Sequence, residues 1–166
     1  MSDFTKKRLI YKAFAFLFVI AVLVVLDQWT KRLAVTALKG KEPFVIIQNV
    51  LEFSYLENRG AAFGMMQGMR IAFLIFAPAV SIGLFAYGLK LSLKKKFTPA
   101  VICFLLIISG AVGNFIDRLG NGYVVDFIYF KLIDFPVFNV ADIFVTCGAI
   151  LLILLLLFKY KEEDFD

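Results

Sequence analysis

Residues 136–158 read PVFNVADIFVTCGAILLILLLLF, and how this stretch is solvated decides the fold. It carries one carboxylate, Asp142, and no cation. About twenty apolar residues in helical form cross a ~30 Å hydrocarbon core, so Pro136 to Phe158 is expected to be a transmembrane helix. An acid inside such a span costs ~2.5 to 3.5 kcal/mol on insertion scales and is kept mainly where it pairs or works. Asp142 has Val140-Ala141 before it and Ile143-Phe144-Val145 after it. With no cation beside it, it reads as a functional group.

Three further segments come close to the same length requirement: Ala13 to Ala34, Ile71 to Leu91 and Pro99 to Leu119. The chain has 166 residues, 61% apolar and 16% aromatic, which is length for one domain and too little polar surface for a soluble one. An all-α membrane protein is expected, with four transmembrane helices in a single domain over residues 1–166. The first segment is long and runs into Asp27-Gln28-Trp29-Thr30-Lys31, so it reads as a retained span, not a cleavable signal peptide. Cys103 and Cys147 lie among aliphatic residues inside spans, where a thiol behaves as a small hydrophobe and needs no disulfide. Trp29 and the many phenylalanines read as interfacial anchors and lipid-facing packing, and Pro78 is expected to kink the second span.

The net charge of +5 sits largely in clusters that flank the spans: Lys6-Lys7-Arg8 with Lys12, Lys94-Lys95-Lys96 with Lys90, and Lys159 with Lys161. Anionic lipid headgroups, not nucleic acid, are the partner such clusters suit. Positive-inside logic puts both termini in the cytoplasm and the 35–70 and 120–135 connections outside. In the first connection, Phe44-Val45-Ile46-Ile47 is followed by Val50 to Tyr55, where Leu51, Phe53 and Tyr55 alternate with Glu52 and Ser54. That period of two predicts a small extracytoplasmic hairpin or sheet in this loop.

The remaining buried polar groups converge on one membrane level under this topology. Asp27 and Lys31 fall at the outer end of span one, Asn114, Asp117 and Arg118 at that of span three, and Asn139 and Asp142 at that of span four. Spacings of three and four place each set on one helix face. Asp117 with Arg118, and Asp27 with Lys31, read first as neutralised structural pairs. Asp126 lies in the short connection Gly122 to Phe127 and by itself reads as an ordinary loop acid, although the connection can fold back towards Asp142. Two carboxylates sharing a site do not both ionise readily, so such a pair supplies a general base and a general acid together.

The chain has no histidine, which removes histidine-dependent triads and His-Glu-x-x-His zinc sites. A serine and lysine pair stays formally open, but Ser81 and Ser109 have no lysine three or four residues away. A small proton-linked transporter or channel is the competing class, with Asp27, Asp117 and Asp142 as a relay. It predicts polar residues through the full membrane depth, whereas Ala13 to Leu26 and Leu151 to Phe158 are free of acids and cations. A structural or assembly factor would tolerate Asn at the acidic positions.

Five blocks in order carry a resemblance to a known family. They are Asp27-Gln28-Trp29-Thr30-Lys31, Asn58-Arg59-Gly60-Ala61-Ala62-Phe63-Gly64, Gly110 to Arg118, Val124-Val125-Asp126-Phe127 and Phe138-Asn139-Val140-Ala141-Asp142. Together they resemble the lipoprotein signal peptidases, or type II signal peptidases, over nearly the whole chain. The resemblance implies a catalytic pair at Asp126 and Asp142, without metal or other cofactor. It implies a diacylglyceryl-modified prolipoprotein as substrate, cut just before its lipidated cysteine in the bacterial cytoplasmic membrane. The outer connection corresponds to the family's cradle over the substrate. Asn58, Asn114 and Asn139 are then expected to orient the acids or hold the substrate backbone. Asp27, Lys31, Asp117 and Arg118 are expected to support them, with Arg118 paired to Asp117. Gly60 and Ala61 would let substrate approach closely. A monomer is expected.

Overall fold

The structure is a computed structural model and describes residues 3–60 and 70–164. Four long helices, α1 (Asp3–Leu38), α2 (Arg70–Leu91), α3 (Thr98–Gly120) and α4 (Val140–Phe158), are joined at one end by a three-stranded sheet. All four are long and apolar enough to cross a membrane. The sheet comprises β1 (Phe44–Ile47), β2 (Leu51–Asn58) and β3 (Val124–Phe130), antiparallel in the order β1-β2-β3.

The helices do not coincide with the apolar segments at every end. The first helix begins at Asp3, ahead of the apolar segment that starts at Ala13, because the stretch around Lys6 to Lys12 continues the helix beyond it. At the 1.5 Å rise, its 36 residues reach about 54 Å, well beyond a ~30 Å core. The fourth starts at Val140 and not at Pro136, because Asn139 caps it. The Asn139 side chain accepts from the Asp142 backbone N–H, and the Asp142 carboxylate accepts from the Asn139 N–H. This reciprocal box satisfies two donors that a helix start otherwise leaves unpaired.

The sheet also differs from the expected hairpin. Its third strand comes from the connection between α3 and α4, so the sheet is built from both connections and not the first alone. β3 reads VVDFIYF and its first four residues are all buried, so it lacks the alternation that marks a half-exposed strand. Leu56 pairs with Asp126 and Asn58 with Val124, with a bulge in β2 between Phe53 and Leu56. Gly40, at φ +74°, ends α1 and turns the chain towards β1, a conformation that costs glycine little.

Two apolar clusters fix this frame. Ala34 and Leu38 of α1 pack with Phe127, Phe53, Tyr55 and Val140, seating the sheet on the end of α1. At the opposite end, Phe16, Leu91, Phe97, Phe104 and Tyr160 form the main core. There Phe97 and Tyr160 meet at 4.9 Å between ring centroids, and Lys12 donates to the Ser92 carbonyl. Pro78 lies inside α2, which runs as one helix from Arg70 to Leu91.

α3 is the central helix and carries most of the burial. Its glycines permit contact that no side chain would allow. A Cβ at Gly110 would lie 2.3 Å from the Ala141 carbonyl oxygen, and one at Gly113 would lie 2.5 Å from Asp27 Oδ2. The first obstacle is backbone, so α3 and α4 would have to separate. Gly110→Ala is therefore expected to lower stability by about 1 to 3 kcal/mol or more, read as a drop in unfolding temperature in detergent. An unchanged transition would show that the two helices do not pack as described.

Candidate active site

Three ionised side chains meet where α1 and α3 approach α4. Lys31 Nζ lies 2.9 Å from Asp27 Oδ2 and 3.0 Å from Asp117 Oδ2, and all three residues are at most 4% exposed. One cation faces two anions, so further donors are needed. The backbone N–H groups of Ala141 and Val125 donate to Asp27 Oδ1 and Asp117 Oδ2 at 2.9 and 3.1 Å. The Gln28 amide adds bonds to Asp117 Oδ1 at 2.9 Å and to the Gly113 carbonyl at 3.2 Å. Lys31 spends a third proton on Asn114 Oδ1 at 2.8 Å. The cluster thereby ties α1, α3, β3 and the start of α4 together, which is the role expected of buried charges satisfied on every side.

Asn114 passes this order on to the acids. Its Nδ2 donates to Asp142 Oδ1 at 2.8 Å, and Asn139 N donates to Asp142 Oδ2 at 3.1 Å. Asn139 Nδ2 donates to Asp126 Oδ1 at 2.6 Å and to Asn114 Oδ1 at 3.2 Å. Asn58 Nδ2 donates to Asp126 Oδ2 at 2.9 Å, while its own Oδ1 accepts from the Gly60 N–H at 2.9 Å. Asp126 and Asp142 are thus held from both oxygens by amides of Asn58, Asn114 and Asn139. Burial, and then the nearby Asp142 charge, push the Asp126 carboxyl up to about 7, against the pull of the Asn58 and Asn139 amides.

Both acids line a cleft of about 560 Å³, within the ~300 to 1,000 Å³ usual for ligand sites. Its walls are mainly apolar, with Phe73 and Ala77 from α2, Ala111 and Phe115 from α3, and Ile143 and Val145 from α4. Arg118 is the cation on this lining among the described residues.

The structure brings together most of the positions expected from sequence and redistributes their pairings. Asp27 pairs with Lys31 as expected, but Asp117 also pairs with Lys31 and not with Arg118. Arg118 instead donates to the Gly60 carbonyl at 2.9 Å and stacks over the Phe73 ring at 4.5 Å. The reason is geometric: adjacent residues on a helix project about 100° apart, so Asp117 turns to α1 while Arg118 turns to α2. Asp126 is 1% exposed in β3, the reverse of a free loop acid. Ala61 lies outside the described residues, as do Ala62 and Gly64. Gln28 was missed, and its signal was a polar amide within a helical span beside Asp27.

The family described as signal peptidase (SPase) II matches residues 19–158. The chain belongs to the signal peptidase II family. A lipoprotein signal peptidase of Streptococcus thermophilus is 42% identical over 145 residues, covering 87% of this chain and 92% of that protein. One from Clostridium tetani is 43% identical over 153 residues, covering 89% and 94%. A bacterial membrane enzyme solved by the in meso method at 2.3 Å superposes with a TM-score of 0.76 and 34% identity, over 89% of this chain and 92% of that one. Membership makes the chain a multi-pass membrane hydrolase, a signal peptidase of the aspartic type. The transporter reading and the assembly-factor reading are set aside on the same grounds.

Proposed function

We propose that this enzyme removes the signal peptide from diacylglyceryl-modified prolipoproteins by cutting before the lipidated cysteine, with Asp126 and Asp142 as its catalytic pair. The observation that carries the assignment is that both carboxylates line one apolar cleft and are bridged by the Asn114 and Asn139 amides. One carboxylate takes a proton from water as the water attacks the scissile carbonyl. The other, protonated, donates to the carbonyl oxygen, giving a tetrahedral intermediate that collapses as the leaving amine is protonated. A coupled pair titrates as a unit, so the single proton belongs to the pair. Asn58, Asn114 and Asn139 hold the acids in place, and the Lys31 cluster holds Asn114.

The same reading places both termini in the cytoplasm and the sheet on the extracytoplasmic face of the bacterial cytoplasmic membrane, as the flanking lysines favour. It treats residues 1–166 as one domain that works as a monomer. Asp126 and Asp142 then lie near the outer interface, where a precursor anchored by acyl chains presents its cleavage site. Gly60 and Ala61 remain candidates for close substrate approach. Arg118 is placed beside the same cleft, where it anchors Gly60.

Purified enzyme presented with one prolipoprotein, with and without the diacylglyceryl group, tests the substrate class. Cleavage confined to the lipidated form is expected. Equal cleavage of both forms would remove the lipid requirement.

A further inference from the structure

A second cleft, about 600 Å³, opens on the other side of β3 from the acids. Its walls include Leu33, Ala34 and Ala37 of α1 with Phe44, Phe53 and Phe127 of the sheet, and its rim carries Lys41 and Glu42. Leu33 and Phe44 are 48% and 63% exposed, so the groove is open beside the end of a membrane-spanning helix. Apolar surface beside the end of such a helix is within reach of acyl chains.

The rim distinguishes one lipid chemistry from another. Lys39, two residues before Lys41, is paired with Glu57 at 3.0 Å. The side chains of Lys41 and Glu42 have no hydrogen-bond or ion-pair partner among the described residues, and both are exposed. A neighbouring cation and anion at the mouth of an apolar groove match a headgroup that carries a phosphate and an ammonium. A purely anionic headgroup would leave Glu42 opposed to like charge.

We propose that this groove binds a zwitterionic aminophospholipid, with one acyl chain against Ala37 and Phe127, the phosphate at Lys41 and the ammonium at Glu42. The site is separate from the catalytic cleft but shares its strand. Phe127 forms a wall of the groove, while Asp126, the residue before it, lines the catalytic cleft. Phe127 is also in edge contact with Phe53, at 5.9 Å between centroids. An occupied groove braces the strand that carries Asp126.

The full-length enzyme, stripped of lipid by detergent exchange, would be titrated with dioleoyl phosphatidylethanolamine and dioleoyl phosphatidylglycerol and read by native mass spectrometry. A single phosphatidylethanolamine adduct is expected, at least tenfold tighter than phosphatidylglycerol. Ala37→Trp fills the groove and should weaken that adduct at least tenfold, and Lys41→Ala should act in the same direction. Glu42→Gln should narrow the gap between the two lipids. Ala37, Lys41 and Glu42 are exposed, and each variant's unfolding temperature checks its fold. If Ala37→Trp does not fold, the two rim variants decide the matter. Binding unchanged in Ala37→Trp and Lys41→Ala, or equal affinity for both lipids, would overturn the site. The readout is binding alone, so it stands or falls independently of which residues perform cleavage.

Discussion

Asp126→Asn and Asp142→Asn are each expected to lower kcat/KM for prolipoprotein cleavage by about 10³ to 10⁴, at the upper end of what a lost acid or base removes. Neither change alters side-chain volume, so the helices should stay packed. Each replaces one acceptor oxygen by a donor, however, and both acids receive donors on both oxygens. A local cost of about 1 to 3 kcal/mol from one mismatched bond follows, and unfolding temperatures must be compared before rates are. The double variant should be little worse than either single one, because the two acids act as a unit. A single variant that cleaves at a near-normal rate would remove that residue from the catalytic pair.

Lys31→Met should have the largest effect on stability, about 3 to 5 kcal/mol, the cost of leaving a buried charge without its partner. Asp27 and Asp117 both rely on that one ammonium, and all three are almost wholly buried, so solvent cannot replace it. Removing the cation also leaves Asn114 Oδ1 with the longer bond from Asn139 Nδ2 alone, which loosens the amide that holds Asp142. Adding Asp117→Asn to Lys31→Met should recover part of the loss, since residues in one network are not additive. Detergent unfolding of the four proteins checks this. A Lys31→Met variant within about 1 kcal/mol of wild type would show that the cluster contributes little.

Much of this was legible in the sequence because the membrane simplifies solvation. Apolar length located the helices, and ionisable groups inside them stood out as costly. Asp27 with Lys31 was readable from an i,i+4 spacing on one helix. The partners of Asp117 and Arg118 were not, because they depend on which neighbour each helix face meets. Asp126 illustrates the limit most clearly. Its strand lacks alternation because it is buried from both sides, and its environment comes from Asn58 and Asn139, distant in sequence. Only the resemblance of its motif singled it out.

The pH dependence of kcat/KM between pH 5 and 9 tests the shared proton in the unaltered enzyme, with every side chain of the site in place. Burial and Asp142 hold the Asp126 carboxyl up at about 7, above its usual range near 4. The native state therefore binds more protons than the unfolded chain between those values, and this group's contribution to stability falls as pH rises through that window. For catalysis the same shift keeps a proton on the pair up to near-neutral pH. The account predicts a rate that falls about tenfold per unit above pH 7 while the protein stays folded. A rate that stays flat or rises from pH 7 to 9 would contradict a pair that must hold one proton to work.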